Sequence, residues 1–222
     1  MEHKNLQPKQ MSELRFWENI KVHGCRGFSP EEWKIAVQYF RQYSLMYINR
    51  DLNNLKYKIA IEVGCGPDSV LSNLENVVAI GIDPLINEYH KLWDLSKDGV
   101  TYICSEIETL NLNIMADIVI CWNVLDHVSD IDLAAKKLSE ILHPDGELWF
   151  MVNLDDTKNS TEVVKENPDG MHPFKVNIDS ISKLLIKYGF FWKEKVLITF
   201  QMGNRYPILM GVLGKVDTAG ET

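Results

Sequence analysis

The sequence of 222 residues predicts an α/β fold: a doubly wound, mostly parallel sheet of seven strands with an antiparallel C-terminal hairpin and an N-terminal helical extension. Two observations predict this fold. Between residues 57 and 155, short apolar runs alternate with stretches of helical spacing, which is typical of parallel strands covered by helices on both faces. After residue 189, two apolar runs follow each other with no room for a helix, so they must pair as an antiparallel hairpin.

The first 55 residues are predicted to be helical. Ser29-Pro30-Glu31-Glu32 fits a capping box with proline at the first helical position, and a shorter helix is expected from about Ser12 to Val22. We expect residues 1–55 to form an N-terminal extension that covers the substrate, and residues 56–222 to form the main domain. Six aromatic side chains of the extension are expected mainly in the core, with substrate contact as the alternative: Phe16, Trp17, Trp33, Phe40, Tyr43 and Tyr47.

The main domain alternates predicted strands and helices. The strands are KIAIEV, VVAIGI, Gly99 to Cys104, DIVIC and GELWFMV, followed by the hairpin strands FFWKEKVLITF and RYPILMGVL, with Met202-Gly203-Asn204 between them. The helices are expected from Pro67 to Leu74, from Ile86 to Leu95, from Ser129 or Asp130 to Leu142, and from Ile178 to Tyr188. Because the polar stretch from Leu154 to Asn177 is long for a simple connection, we expect it to be a lid or a binding loop.

Composition excludes several function classes. A net charge of −8 argues against general nucleic-acid binding, which needs a basic face. No apolar run approaches a membrane helix and the first ten residues lack a signal peptide, so we expect a cytoplasmic protein with no membrane partner. The four cysteines, Cys25, Cys65, Cys104 and Cys121, form no CxxC pair, so we expect buried, reduced thiols rather than a structural zinc site.

The stretch IAIEVGCGPDS, from Ile59 to Ser69, predicts a nucleotide site. Gly64 and Gly66 follow a strand, where glycine lets the backbone turn sharply and approach a ligand. Asp83 ends the next strand, about 20 residues later, at a position suited to ribose hydroxyls. The alternative is that Asp83 only caps the following helix.

Three residues that are not glycine decide which nucleotide is favoured. A dinucleotide fingerprint has a third glycine where this sequence has Ser69. Asp68 would repel a pyrophosphate at the start of a helix, and Glu62 is equally unfavourable for an anion. A nicotinamide-dependent oxidoreductase is therefore disfavoured. S-adenosylmethionine carries an ammonium, a sulfonium and a ribose but no phosphate, and it suits these charges.

With these motifs the chain resembles the class I S-adenosylmethionine-dependent methyltransferases, over about Ile59 to Leu213. EVGCGP, IGIDP, CSEIETL, ADIVICWNVLDHVSD and KKLSEILHPDGELWF resemble the ordered motifs of that family. The resemblance implies a Rossmann-like fold and S-adenosylmethionine as cofactor. It also implies a set of cofactor-binding residues: Glu62, Gly64, Cys65, Gly66, Asp83, Pro84, Glu106, Ile107 and Asn123. Asp68 departs from the pattern, since many members carry another glycine there.

The acceptor side has two candidate bases. His127 follows the fourth strand, where the reactive methyl group should lie, and histidine side chains titrate near neutral pH. His172 is followed by Pro173 and Phe174, and the family often has a histidine before an aromatic residue in this region. For each histidine the alternative is a structural role, and for Asn123 it is a turn or helix cap.

The resemblance implies in-line displacement of the methyl group, in which the protein aligns the acceptor and excludes water. We expect a small-molecule acceptor methylated at oxygen or nitrogen, with a protein acceptor as an open alternative. No metal-ligand spacing is visible among the six histidines, so we expect no metal site and a metal-independent reaction. The second hypothesis is a non-catalytic S-adenosylmethionine-binding protein with a regulatory or assembly role.

Overall fold

The computed structural model describes residues 6–56, 58–96, 98–155, 163–165, 171–199 and 207–216. The helices are α1 (Pro8–His23), α2 (Pro30–Tyr47), α3 (Ile86–Leu92), α4 (Ile131–Ile141) and α5 (Ile178–Lys187), with 3₁₀ turns at Leu52–Leu55 and Ile107–Thr109. The strands are β1 (Ile59–Val63), β2 (Val78–Ile82), β3 (Thr101–Ile103), β4 (Ala116–Trp122), β5 (Leu142–Asn153), β6 (Val164–Lys165), β7 (Phe174–Lys175), β8 (Phe190–Thr199) and β9 (Pro207–Lys215).

Seven strands form one sheet in the order β3-β2-β1-β4-β5-β9-β8. Strands β1 to β5 pair in parallel, whereas β9 lies antiparallel to both β5 and β8. The predicted doubly wound sheet with a C-terminal hairpin is therefore confirmed. The hairpin turn, Met202-Gly203-Asn204, lies outside the described residues.

The chain reverses direction across the sheet between β1 and β4. From β1 it builds β2 and β3 on one side, and it then crosses to β4 and β5 on the other. Val63 is in register with both Ile82 and Cys121, so the carboxyl ends of these three strands meet at one edge. Ligands of open parallel sheets bind at such a switch point.

Alternate residues of the buried strands supply two cores. Ile61, Val119 and Phe150 belong to the core that packs under α4 and α5. Their neighbours Ala60, Ile120 and Trp149 belong to the opposite core, which also contains Leu45 of α2 and Ile48 just after it. Because successive strand side chains point to opposite faces, a run of apolar residues is needed to bury a parallel sheet on both sides.

The N-terminal helices begin with proline and lie on the main domain. The predicted capping box is confirmed, since Ser29 Oγ accepts from the Glu32 amide and Glu32 Oε2 accepts from the Ser29 amide. Helix α1 is longer than expected, and Leu14 packs in a third core with Leu85 and Tyr89 of the main domain. The extension therefore shares its core with the sheet.

Three expectations of the sequence differ from the structure. Residues 67–74 form turns instead of a helix. Cys65 and Cys121 are buried, but Cys25 is half-buried and Cys104 is exposed, so the prediction that the four thiols are buried is wrong for two of them. All four cysteines are free thiols, as expected. Of the six aromatic residues of the extension that we expected mainly in the core, three are exposed: Phe16, Tyr43 and Tyr47.

The stretch from Leu154 to Asn177, where we expected a lid or loop, contains a short antiparallel ladder between β6 and β7. Among the helices of the described residues, none combines the length and the apolar character needed to cross a bilayer.

Candidate functional site

The glycine loop after β1 lies at the switch point. Gly64 has a φ of +67° and Gly66 a φ of +60°, so both occupy the left-handed region that favours glycine. A Cβ atom on Gly64 would lie 2.3 Å from Cγ2 of Val124, whereas one on Gly66 would have only Trp17 nearby, at 3.8 Å. The backbone amide of Gly64 donates to Ile82 O at 2.7 Å and joins the loop to the end of β2.

Glu62, the acid before the loop, is 2% exposed. Its Oε2 accepts from Ser69 Oγ at 2.5 Å and from the Val70 amide at 2.9 Å. Burial raises the pKa of Glu62 to about 7, although the nearby Arg41 and the two hydrogen bonds act in the opposite direction. Glu62 thus fixes the glycine loop through Ser69 and Val70, and its carboxyl group also lines the cavity.

Asp83, at the end of β2, is also buried, at 8% exposure. Its Oδ2 accepts from the Gly66 amide at 3.1 Å and its Oδ1 from the Leu85 amide at 2.9 Å. Desolvation raises the pKa of Asp83 to about 6, against the effect of these two hydrogen bonds. Asp83 therefore fixes the turn before α3 but does not cap that helix, whose N-cap is Leu85 with no side-chain cap bond. Asp83 also lines the cavity.

Glu106 and Ile107 follow β3 and lie on the same cavity, as does Pro84. Glu106 Oε1 accepts from the side-chain amides of Gln7 and Gln10, at 3.3 and 3.0 Å. Ile107 is buried beside it. Glu106 is therefore in contact with α1, which lies over the mouth of the cavity.

Asn123 ends β4 with a φ of +56°, a turn conformation that asparagine tolerates. Its amide donates to Met151 O, and its side-chain oxygen accepts from Asn153 Nδ2. Its Nδ2 lies 3.4 Å from Nε2 of His127. The predicted turn role is thus present, and Asn123 also lines the cavity.

The two candidate bases lie side by side, although 45 residues separate them in the sequence. The ring centroids of His127 and His172 are 4.3 Å apart. His127 lines the main cavity, whereas His172 lines a second, smaller cavity next to Asp126 and Asn153. Of the pair, His127 lines the main cavity and His172 does not, and the role of either side chain as a base stays a prediction.

Arg41 and Trp122 also line the cavity. Trp122 follows from its place at the end of the fourth strand, next to Asn123, whereas Arg41 was not predicted from the sequence. Arg41 lies on α2, and its Nη1 is buried with no hydrogen-bond partner among the described residues; the same holds for Nε1 of Trp122. An unpartnered buried donor is costly, so both groups favour an acceptor supplied by a ligand. The sequence motifs could not identify Arg41, because Arg41 lies on α2 in the extension, before the first strand and its glycine loop.

Asp68 lies next to the glycine loop, and its negative charge raises the pKa of Glu62. Its Oδ2 is buried and has no hydrogen-bond partner within the described ranges. The carboxylates around the loop would repel a pyrophosphate, as expected from the sequence.

The main cavity measures about 300 Å³ and runs from the loop to β4, with α1 and α2 above it. Every predicted cofactor-binding residue lines it: Glu62, Gly64, Cys65, Gly66, Asp83, Pro84, Glu106, Ile107 and Asn123. Five carboxyl side chains line it (Glu13, Glu62, Asp83, Glu106 and Glu108), together with the guanidinium of Arg41, whose Nη1 has no partner among the described residues. These groups suit a ligand with hydroxyls, an ammonium and a carboxylate. The residues present therefore fit S-adenosylmethionine.

The fold and this site define a class I S-adenosylmethionine-dependent methyltransferase. Residues 37–191 match a family model described as a methyltransferase domain, so the chain belongs to that family. Its cofactor is S-adenosylmethionine.

Curated relatives and a solved structure extend this result. A ubiquinone biosynthesis O-methyltransferase of Bradyrhizobium diazoefficiens is 30% identical over 172 residues, which cover 71% of this chain and 65% of that protein. One from Coxiella burnetii is 29% identical over 112 residues, so the chain spans about half the length of that relative, 47%. The fold is similar to that of magnesium protoporphyrin IX methyltransferase from Synechocystis PCC 6803 with bound cofactor. The TM-score is 0.63 at 16% identity, with coverage of 96% of this chain and 100% of that one.

Proposed function

We propose that the protein transfers a methyl group from S-adenosylmethionine to an oxygen or nitrogen of a small-molecule acceptor. The observation that carries this proposal is a single cavity lined both by the acidic cofactor-side residues and by Trp122, His127 and Met171. A cavity that continues past the cofactor side gives an acceptor access to the reactive methyl group.

We assign the cofactor-side residues by their chemistry. Asp83 would accept hydrogen bonds from the ribose hydroxyls, and Glu106 with Ile107 would hold the adenine. Glu62 would face the ammonium, and the free Nη1 of Arg41 would bind the carboxylate at the same end of the cofactor. Gly64, Cys65 and Gly66 would provide close backbone contact, and Pro84 would border the ribose.

The bound cofactor supplies a methyl group on a positively charged sulfur, so the protein has to align the acceptor and keep water out. As the new bond to the methyl carbon forms, the carbon–sulfur bond breaks and its electron pair stays on sulfur. A hydroxyl acceptor must also lose its proton, and we assign that proton to His127 or His172. Asn123 would hold the ring of His127 from its position 3.4 Å away.

We propose residues 1–55 as a lid over the substrate. Gln7 and Gln10 of α1 contact Glu106, Lys9 donates to Ser129 Oγ at 2.6 Å, and Trp17 approaches Gly66. These contacts cross the mouth of the cavity. Because the contacts of Gln7, Lys9 and Gln10 are mostly exposed and polar, the first turn of α1 can open at low cost to admit the cofactor, while Leu14 keeps the rest of the helix packed on the main domain.

A small-molecule acceptor is supported by the names of the matched relatives, which are O-methyltransferases of ubiquinone biosynthesis. Oxygen is accordingly the first atom to test. The net charge of −8 disfavours a nucleic-acid acceptor. A cytoplasmic location also belongs to this proposal and rests on the sequence.

The test is a screen of hydroxylated and amine metabolites that follows S-adenosylhomocysteine release. The proposal predicts turnover with at least one small acceptor. Cofactor binding without turnover on any small acceptor would contradict it. That result would favour the non-catalytic alternative, or a protein acceptor if turnover appears only with protein substrates.

A further inference from the structure

We propose that Asp126, His127 and His172 form a binding site for a first-row divalent transition metal ion at the acceptor end of the cavity. The potential ligand atoms of these three residues all lie within 4.8 Å of one another. This inference rests on the proposed methyl transfer to a hydroxyl group, whose oxygen the ion would hold.

Asp126 is the reason to expect a positively charged ligand. It is only 4% exposed, and its Oδ1 has no hydrogen-bond partner among the described residues. A buried carboxylate oxygen with no partner is costly unless a cation or a donor meets it. The Nε2 of His127 lies 3.9 Å from that oxygen, beyond hydrogen-bond distance.

The spacing of the three groups suits a metal ion. Bonds of about 2.1 Å from a tetrahedral ion to nitrogen or oxygen place two ligand atoms roughly 3.4 Å apart. The ligand atoms of Asp126 and His127 are 3.9 Å apart, and all the ligand atoms of the group lie within 4.8 Å of one another. Binding therefore requires the ligand atoms to approach one another by roughly 0.5 to 1.4 Å, which small side-chain rotations supply.

The position also leaves room for a substrate. His127 lines the main cavity, whereas Asp126 and His172 line the second cavity of about 160 Å³. An ion between them would keep coordination positions open toward the acceptor. Asp155 and Lys175 also line the second cavity.

Two imidazoles and one carboxylate indicate the kind of metal. Imidazole suits zinc, iron and similar ions, whereas magnesium prefers oxygen ligands and water. We therefore expect Zn²⁺ to bind more tightly than Mn²⁺, and Mn²⁺ more tightly than Mg²⁺.

An acceptor hydroxyl bound to such an ion releases its proton to water more readily, so the ion would replace a histidine base. The expectation of no metal rested on spacing along the chain, which could not show that His172 lies beside His127.

The test is calorimetric titration of the chelator-treated full-length protein with Zn²⁺, Mn²⁺ and Mg²⁺, without cofactor or acceptor. We expect one ion per chain, with affinity at least about tenfold weaker in His172→Ala and in His127→Ala. His143→Ala is the matched control, since His143 is an exposed histidine at the start of β5 and its replacement should leave the affinity unchanged. Retained S-adenosylhomocysteine binding shows that each variant is folded.

Several results would overturn the site: no binding at millimolar Zn²⁺, equal loss in His143→Ala, or Mg²⁺ binding as tightly as Zn²⁺. Because the titration contains no acceptor, its outcome is independent of methyl transfer. Failure of the metal site with turnover intact would leave His127 or His172 as the base. Metal binding without turnover on any small acceptor would instead contradict the proposed function.

Discussion

The hydroxyl of Ser69 donates a 2.5 Å hydrogen bond to Oε2 of the buried Glu62. Ser69 occupies the position where a dinucleotide fingerprint has its third glycine. Its side chain instead joins the far end of the loop to the acid that precedes it. The same carboxyl oxygen accepts from the Val70 amide, so one buried acid fixes the shape of the whole loop.

The first prediction concerns the pH dependence that Glu62 imposes on stability. Burial raises its pKa to about 7 in the folded state, above the value near 4.5 of an exposed glutamate. Between these two values the folded state binds more protons than the unfolded state, so its stability falls as pH rises and the loss is complete above pH 7. The size is on the order of 3 kcal/mol.

Glu62→Gln should remove most of this dependence, because glutamine keeps a carbonyl oxygen for Ser69 and Val70 but carries no charge. The measurement is urea unfolding of the ligand-free protein at pH 5 and pH 8, native against variant. We expect the native protein to lose more stability between the two pH values. An equal change in both proteins would show that Glu62 titrates normally.

The second prediction compares the two glycines of the loop. Alanine at either position adds the strain of a left-handed conformation, roughly 1 to 2 kcal/mol. Only Gly64→Ala also forces its Cβ against Val124. We therefore expect Gly64→Ala to destabilise the protein by at least about 1 kcal/mol more than Gly66→Ala, measured by unfolding without ligand. Equal losses would mean that Val124 moves aside freely.

The third prediction concerns the role of Arg41 in binding the carboxylate of the cofactor. Arg41→Met keeps much of the side-chain volume but removes the donor that we expect to bind the cofactor carboxylate. The affinity for S-adenosylhomocysteine should fall about 10- to 100-fold, the effect of losing a hydrogen bond between charged groups. Adenosine, which lacks the carboxylate, serves as the control ligand and should bind equally to both proteins. A similar loss for both ligands would place Arg41 elsewhere.

The fourth prediction concerns the two histidines. His127→Gln and His172→Gln should each lower kcat with the best acceptor by about 100-fold or more, while affinity for S-adenosylhomocysteine changes little. His143→Gln is the control and should retain full turnover. Unchanged turnover in both test variants would exclude these side chains from acceptor activation, as base or as metal ligand.

Most of the sheet could be predicted because buried parallel strands are short, apolar and separated by helical periodicity. The segment at residues 67–74 was predicted wrongly for a tertiary reason. Its Val70 amide and Ser69 hydroxyl are taken by Glu62, which competes with helix formation. No local pattern around Pro67 reveals that competition.

The cofactor side of the site follows from motifs because its residues lie at the ends of consecutive strands. Arg41 and the contact between His127 and His172 depend instead on how distant segments pack. Arg41 comes from a helix before the sheet, and His172 from the stretch after β5. The spacing of residues along the sequence cannot show that Arg41 reaches the cavity or that His172 lies beside His127.

The central claim is that the loop and Asp83 hold S-adenosylmethionine, and its most direct test is a calorimetric titration with S-adenosylmethionine and S-adenosylhomocysteine. We predict that the native protein binds both ligands and that Asp83→Ala weakens both by at least about tenfold, because the buried carboxylate would lose its hydrogen bonds to the ribose. Asp130→Ala, which removes an exposed cap of α4, is the control and should bind normally. If neither ligand binds, or if Asp83→Ala binds as tightly as the native protein, the account of the site is wrong.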